Sequence, residues 1–269
     1  MSSRRAVAAR PAAGPLSAFV LHQYDWSETS LIVELFTRER GRIAVVAKGA
    51  KRPTSNFRAV LLPLQRLQVQ LSRSPAAETS EIHALRAVEL QGWQGGLARE
   101  AGALFAAFYV NELLLRLLAR DDPHAALFDH YAAALPLLRR HEGGGVQLAL
   151  RAFELVLLRE LGWLPELHLV TQTLQPVLPD ASYRLHADLG LVTAAARDDE
   201  ALPGAALPAI EAALGHGGFE PLVHAVEPLA RRLRTPLRGL LQYHLDAPMH
   251  HGALRTRQVL EGLRRLEPR

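Results

Sequence analysis

The chain changes texture once, near Gly95, and that change limits the folds open to it. Upstream, between residues 18 and 86, short apolar runs alternate with polar turns. They are Ala18–Tyr24 (AFVLHQY), Leu31–Phe36 (LIVELF), IAVVAK from Ile43, LQRLQVQLS from Leu64 and ETSEIHALRAVEL from Glu78. Runs of this length, rich in branched and aromatic side chains and bounded by turn residues, predict β-strands. DWSETS supplies side chains that bond their own backbone, and Gly41 in TRERGR is free to take a positive φ, so Leu31–Lys48 reads as a hairpin. Five short strands with no crossover helix between them predict a small antiparallel barrel, closed or partly open.

Downstream the apolar period lengthens to three and four. LAREAGALFAAFYVNELLLRLLAR, HAALFDHYAAALPLLRR and VQLALRAFELVLLRELG predict three strong helices. Asp121, Asp122 and Pro123 separate the first two, EGGG at Glu142–Gly145 breaks the chain before the third, and Gly162 stands where a helix C-cap belongs. Residues 163–200 read as irregular, with a hairpin in YRLHADLGLV. EPLARRLRTPLRGLLQYHL and LRTRQVLEGLRRL read as closing helices. The expected organisation is a disordered basic tail over 1–16, a barrel over 17–92 and a helical domain over 93–269 with an irregular insert at about 163–200. The fold class is α+β.

Cysteine is absent, which excludes disulfides, thiolate metal sites and a cysteine nucleophile. The twelve histidines are scattered, and the adjacent His250 and His251 diverge on any regular element. Phosphate-loop, G-x-S-x-G and H-E-x-x-H patterns are missing, and EGGG and GHGG lack a strand before and a helix after them. No enzyme and no cofactor are expected. SRR near the N-terminus hints at an export signal, but Arg10, Pro11 and Pro15 interrupt the apolar run it would need. The longest apolar candidate for a membrane span, Ala101–Val110, is far short of the roughly 20 residues required. A cytoplasmic, nucleoid-associated protein without membrane partners is the expectation.

Net charge is only +4, so its distribution matters more than its sum. Both lysines of the chain, Lys48 and Lys51, stand in AKGAKRPTSNFR, directly after a predicted strand. Between Arg38 and Arg58 there are seven basic residues (Arg38, Arg40, Arg42, Lys48, Lys51, Arg52, Arg58) against the single acid Glu39. Glycine and proline keep that loop irregular and exposed. Hairpin ends and loop presenting charge together on a barrel would suit a nucleic-acid backbone, with Phe57 available for base stacking. A merely solvated charged surface is the plainer reading, and Phe57 as a plug on the barrel core is the plainer role for that ring. A second basic run, nine arginines after Pro228, reads as a solvated helix stripe or as a second acidic-ligand contact.

These pieces, taken in order, resemble one family. SETS at Ser27–Ser30, then FTRERGR, VAKGAKRP and LLPL are similar to the opening of the RecO family of bacterial recombination mediators. FYVNELLLRLL and LRAFELVLLRELGW are similar to its helical domain, and PLRGLLQYHL…ALRTRQVLEGL to a degenerate form of its closing helix. The resemblance implies an N-terminal OB-fold barrel joined to a helical domain. It implies binding of single- and double-stranded DNA, annealing of complementary strands, and replacement of single-strand DNA-binding protein (SSB) by recombinase together with RecR, without nucleotide consumption. It also implies docking of the acidic C-terminal tail of SSB on the helical domain, with Arg151 at the matching position and Arg116 and Arg120 as further candidates. An adaptor that docks such tails, with DNA binding incidental, is the alternative. Several relatives carry a four-cysteine zinc site after the LGW-like element. This chain has no cysteine there, so a zinc-less subdomain is expected.

Overall fold

In a computed structural model, residues 14–72, 82–92, 96–97, 100–139, 144–195, 198, 200–246 and 254–256 are described. The expected N-terminal tail therefore lies almost wholly outside the described residues, as do His250, His251 and most of the last predicted helix.

Five strands build the first unit: β1 (Leu16–Asp25), β2 (Leu31–Thr37), β3 (Gly41–Ala47), β4 (Arg66–Leu71) and β5 (Ile82–Gly92). They close in the order β1-β2-β3-β5-β4, with β4 returning to β1. Closure removes both sheet edges. The sequence predicts antiparallel pairing throughout, but β3 and β5 run parallel, Ala44 beside Ile82 and Val46 beside Ala84. That pair closes the barrel, and the long connection through residues 48–81, which includes β4, is what permits it. Inward-facing Ala18, Val20, Val33, Leu35, Ile43, Val45, Leu67 and Val69 fill the interior.

The other face of β1 does different work. A register shift between Val20 and His22 turns the strand, and Phe19, Leu21 and, from β2, Phe36 point outward into the helical core. Leu64 joins them from a left-handed backbone at φ 71°, held by its amide on the Val20 carbonyl at 2.8 Å. Strain of this kind costs about 1–2 kcal/mol, less than burial of the leucine side chain returns.

The helical unit comprises α1 (Ala101–Leu117), α2 (Ala125–Leu137), α3 (Gly145–Glu160), α4 (Leu207–Gly215), α5 (Phe219–Val226) and α6 (Ala230–Leu245). α3 is central: Ala149–Leu158 is buried throughout, against α2, α5 and α6. At the junction the Phe19 ring lies 5.2 Å from Phe128 and 4.9 Å from Tyr131. The Tyr131 hydroxyl donates to Asn111 Oδ1 at 2.6 Å, and Asn111 Nδ2 donates to the Leu21 carbonyl at 2.9 Å. A buried asparagine thus satisfies both a barrel carbonyl and a helical tyrosine, and burial raises the Tyr131 phenol above its ordinary range.

The insert expected at about 163–200 carries the hairpin expected in YRLHADLGLV and one further short strand beyond it. β6 (Ser182–His186), β7 (Gly190–Ala194) and β8 (Leu202–Pro203) form a small sheet in the order β7-β6-β8. Tyr183, Leu185, Leu191 and Leu202 bury one face of it in the helical core, and Tyr183 Oη accepts the Leu178 amide at 2.8 Å. Among the described residues no cluster of three or more His, Asp or Glu side chains is placed to hold a metal.

Candidate nucleic-acid interface

The two ends of β3 carry the two halves of the basic run, and they face different things. At the Gly41 end the β2–β3 turn meets the helical unit. Arg38 grips Asp129 of α2 with two bonds of 2.9 Å, Arg40 pairs with Asp121, and Arg42 donates to the Leu115 carbonyl. Asp121 in turn donates its amide to the Arg42 carbonyl at 2.9 Å. Gly41 takes φ 69°, and a β-carbon there would overlap the carbonyl of Asp122. Only glycine fits. The Arg38 guanidinium holds the Asp129 carboxyl below its usual range, and burial pulls the Arg42 guanidinium down against the pull of Glu34.

This corrects one expectation of the sequence. Arg38, Arg40 and Arg42 do not share a surface with Lys48–Arg58, because a strand of seven residues, roughly 20 Å, separates them. Their charge is spent on Asp129, Asp121, Glu34 and a helix carbonyl. His83 on β5 sits beside Arg40 and Asp121, and burial followed by the Arg40 charge lowers its pKa.

At the other end, residues 48–60 form a chain of turns pinned to the β1–β2 loop. The Lys51 amide donates to the Thr29 carbonyl at 2.9 Å, and its ammonium reaches the Ser27 carbonyl at 2.9 Å and Asp25 at 2.8 Å. Lys51 is therefore a tether more than a free cation. Gly49 at φ 72° starts the turn. Lys48, Arg52 and Arg58 are exposed, and none of them enters an ion pair with a described residue. Phe57 is half-buried and packs with Val60 against the barrel core, as the plug reading of that ring requires.

The sequence reading missed the aromatic side chains that do face solvent here. Tyr24, at 48% exposure, and Trp26, at 61%, flank the start of the β1–β2 loop, and His22 stands edge-on to Tyr24 at 4.5 Å. The alternation His22, Tyr24, Trp26 was visible in LHQYDW. What hid it was the bulge after Val20, which changes which residues of β1 point outward.

The three arginines carried over as tail contacts are also placed apart. Arg151 is buried to 7% exposure, its Nη2 3.0 Å from Glu154, whose carboxylate also accepts the Tyr109 hydroxyl at 2.8 Å. The exposed fork that a tail carboxylate needs is absent at Arg151. Arg116 pairs with Glu112 at 3.0 Å, and Arg120 reaches back to the barrel to pair with Glu34. Burial pushes the Glu112 carboxyl up, but bonds from the Thr256 hydroxyl and the amides of Thr256 and Arg255, together with Arg116, outweigh it and leave the pKa lowered.

A closed five-stranded barrel of OB-fold type, welded through β1 and the β2–β3 turn to a helical domain, defines the architecture. Family models agree with both halves: Recombination protein O N terminal matches residues 16–91, and Recombination protein O C terminal matches residues 99–252. The chain belongs to the recombination protein O family. It is 48% identical to the DNA repair protein RecO of Polaromonas sp. (strain JS666 / ATCC BAA-500), over 94% of this chain and 98% of that one. It is 49% identical to those of Verminephrobacter eiseniae and Delftia acidovorans, over 93% of this chain and 96% of each relative.

Proposed function

We propose that this protein is a DNA repair and recombination mediator that binds single- and double-stranded DNA through the barrel. It anneals complementary strands and, with RecR, helps replace SSB with recombinase. The observation that carries the reading is the set of exposed cations Lys48, Arg52 and Arg58 on a loop tethered beside the β1–β2 loop of an OB-type barrel. In that barrel type the β1–β2 loop is among the usual nucleic-acid-binding elements, and the basic loop between β3 and β4 is tied to it through Lys51. The mechanism is charge neutralisation: cations lying along two strands lower their mutual repulsion and let complementary bases meet. It consumes no nucleotide and needs no catalytic residue, and it operates on chromosomal DNA in the cytoplasm.

Arg38, Arg40 and Arg42 enter this mechanism only as anchors of the barrel, since their partners are acidic groups of the helical unit and Glu34. Docking of the SSB tail remains part of the reading. At Arg116, Arg120 or Arg151, however, a tail carboxylate has to displace Glu112, Glu34 or Glu154.

Annealing of complementary oligonucleotides precoated with cognate SSB, without ATP, tests the reading. Acceleration by the protein is expected, and loss of acceleration in a sample that still binds bare DNA removes the SSB part. With three exposed cations on the loop, the log–log salt slope for single-strand binding should lie near −2. Changing Lys48, Arg52 and Arg58 to glutamate should bring it close to zero. A slope that the triple change leaves intact places the DNA elsewhere.

A further inference from the structure

The loop cations explain attraction to any polyanion, single or double, but not the aromatic side chains beside them. A single exposed aromatic needs no explanation. His22, Tyr24 and Trp26 stand at every second residue, all three exposed, at the point where β1 leaves the barrel. Within the strand His22 opposes Glu34 and Tyr24 opposes Ile32, so both project from the outer face, the face opposite to that of Val33. The His22 and Tyr24 rings meet edge-on with centroids 4.5 Å apart, so they form one joined aromatic surface that Trp26 extends along the chain.

The loop that carries Trp26 is well fixed. Trp26 and Ser27 donate their amides to the Ser30 carbonyl at 3.2 and 3.4 Å, and the Ser30 amide donates to Ser27 Oγ at 3.2 Å. Lys51 ties the basic loop to this turn at Asp25, Ser27 and Thr29. The same contacts that remove Lys51 from the pool of free cations therefore hold Lys48 and Arg52 alongside the aromatic line. A row of rings next to a row of cations is the arrangement that tracks an unpaired strand: charges follow the phosphates while bases stack on the rings. A duplex keeps its bases stacked inside and offers only its phosphates.

We propose that His22, Tyr24 and Trp26 form a base-stacking platform for single-stranded DNA, resting on the nucleic-acid reading of the adjacent loop, and that this platform gives the barrel its preference for unpaired strands. The platform discriminates by base exposure and not by sequence, because every base presents a π-face. The loop cations set the affinity for any strand, and the rings add the increment that a duplex cannot collect.

The test compares a fluorescent oligothymidylate, a strand of equal length in which most residues are abasic, and a duplex of that length. Tyr24→Ala and Trp26→Ala should each weaken oligothymidylate binding about tenfold, leave duplex binding unchanged and leave the salt slope of single-strand binding unchanged. Trp26→Phe should retain most of the affinity. The wild-type protein should bind the abasic strand no better than Trp26→Ala binds oligothymidylate. Tryptophan emission should fall when oligothymidylate binds, and Trp26→Phe should abolish that fall while still binding. Unchanged oligothymidylate affinity in both alanine variants, or equal weakening on the duplex, overturns the platform and leaves the loop reading standing. Failure of the wild type to bind any of the three overturns the loop reading and the platform with it.

Discussion

Gly41 and Arg151 show how much one position decides. Gly41 combines a left-handed backbone with a neighbour, the Asp122 carbonyl, that leaves no room for a β-carbon. Gly41→Ala should cost more than the 1–2 kcal/mol of left-handed strain alone, at least about 2 kcal/mol by urea denaturation, because the clash is with backbone. Arg151 poses the opposite question. If it is a core residue paired with Glu154, Arg151→Ala leaves a buried carboxylate and should destabilise by about 3–5 kcal/mol, whereas Arg151→Met combined with Glu154→Leu should recover most of that loss. If instead Arg151 is a tail clamp, Arg151→Ala leaves stability unchanged and removes tail binding. The thermal midpoint of the two variants separates these outcomes. The sequence told the arginine's place on a helix but not its neighbour three residues on, since LRAFEL reads equally well with Arg151 facing in or out.

Elements were legible where the period was strong. Five strands, the three long helices and the hairpin around Tyr183–Val192 follow from runs of two or of three and four. The parallel closure by β3 and β5 was not legible, because pairing between strands separated by a long loop leaves no local pattern. The third strand of the small sheet, β8, is not legible, because two residues ending in a proline carry no alternation. In the candidate interface, position in sequence suggested that Arg38–Arg58 acts as one patch. A strand between two turns sends their charges to opposite ends, and counting residues along β3 would have revealed it. The β2–β3 turn end also holds a titrating group. His83 has its pKa lowered by burial and by Arg40, so the unfolded chain binds the proton more readily. Stability should therefore decline as pH falls below about 6.5, the ordinary histidine value, until the folded pKa is passed. His83→Gln should flatten the urea midpoint between pH 7 and 5.5, apart from any carboxylate contribution. An equally steep profile in the variant assigns the slope to other groups.

Over the whole molecule, apolar burial outweighs charge in joining barrel to helices. Phe19, Leu21, Phe36 and Leu64 each contribute about 1.5–3 kcal/mol on burial. The Arg38–Asp129 pair is solvent-exposed and screened, so it contributes little beside them. Barrel and helical unit should accordingly unfold in one transition by circular dichroism and by tryptophan emission alike, and a fragment ending near Gly92 should aggregate through its uncovered phenylalanines. Two separated transitions would show that the shared core is weaker than its composition implies. The ion pairs have another use, which follows from where they sit. The turn with Arg38 and Arg40 is clamped at one end of β3, and the loop with Lys48 and Arg52 hangs from the other. The barrel is thus gripped like a chisel by its handle: the loop edge keeps one fixed bearing on the helical body, and in the proposed binding mode a strand laid along that edge would be carried with the body as a rigid load.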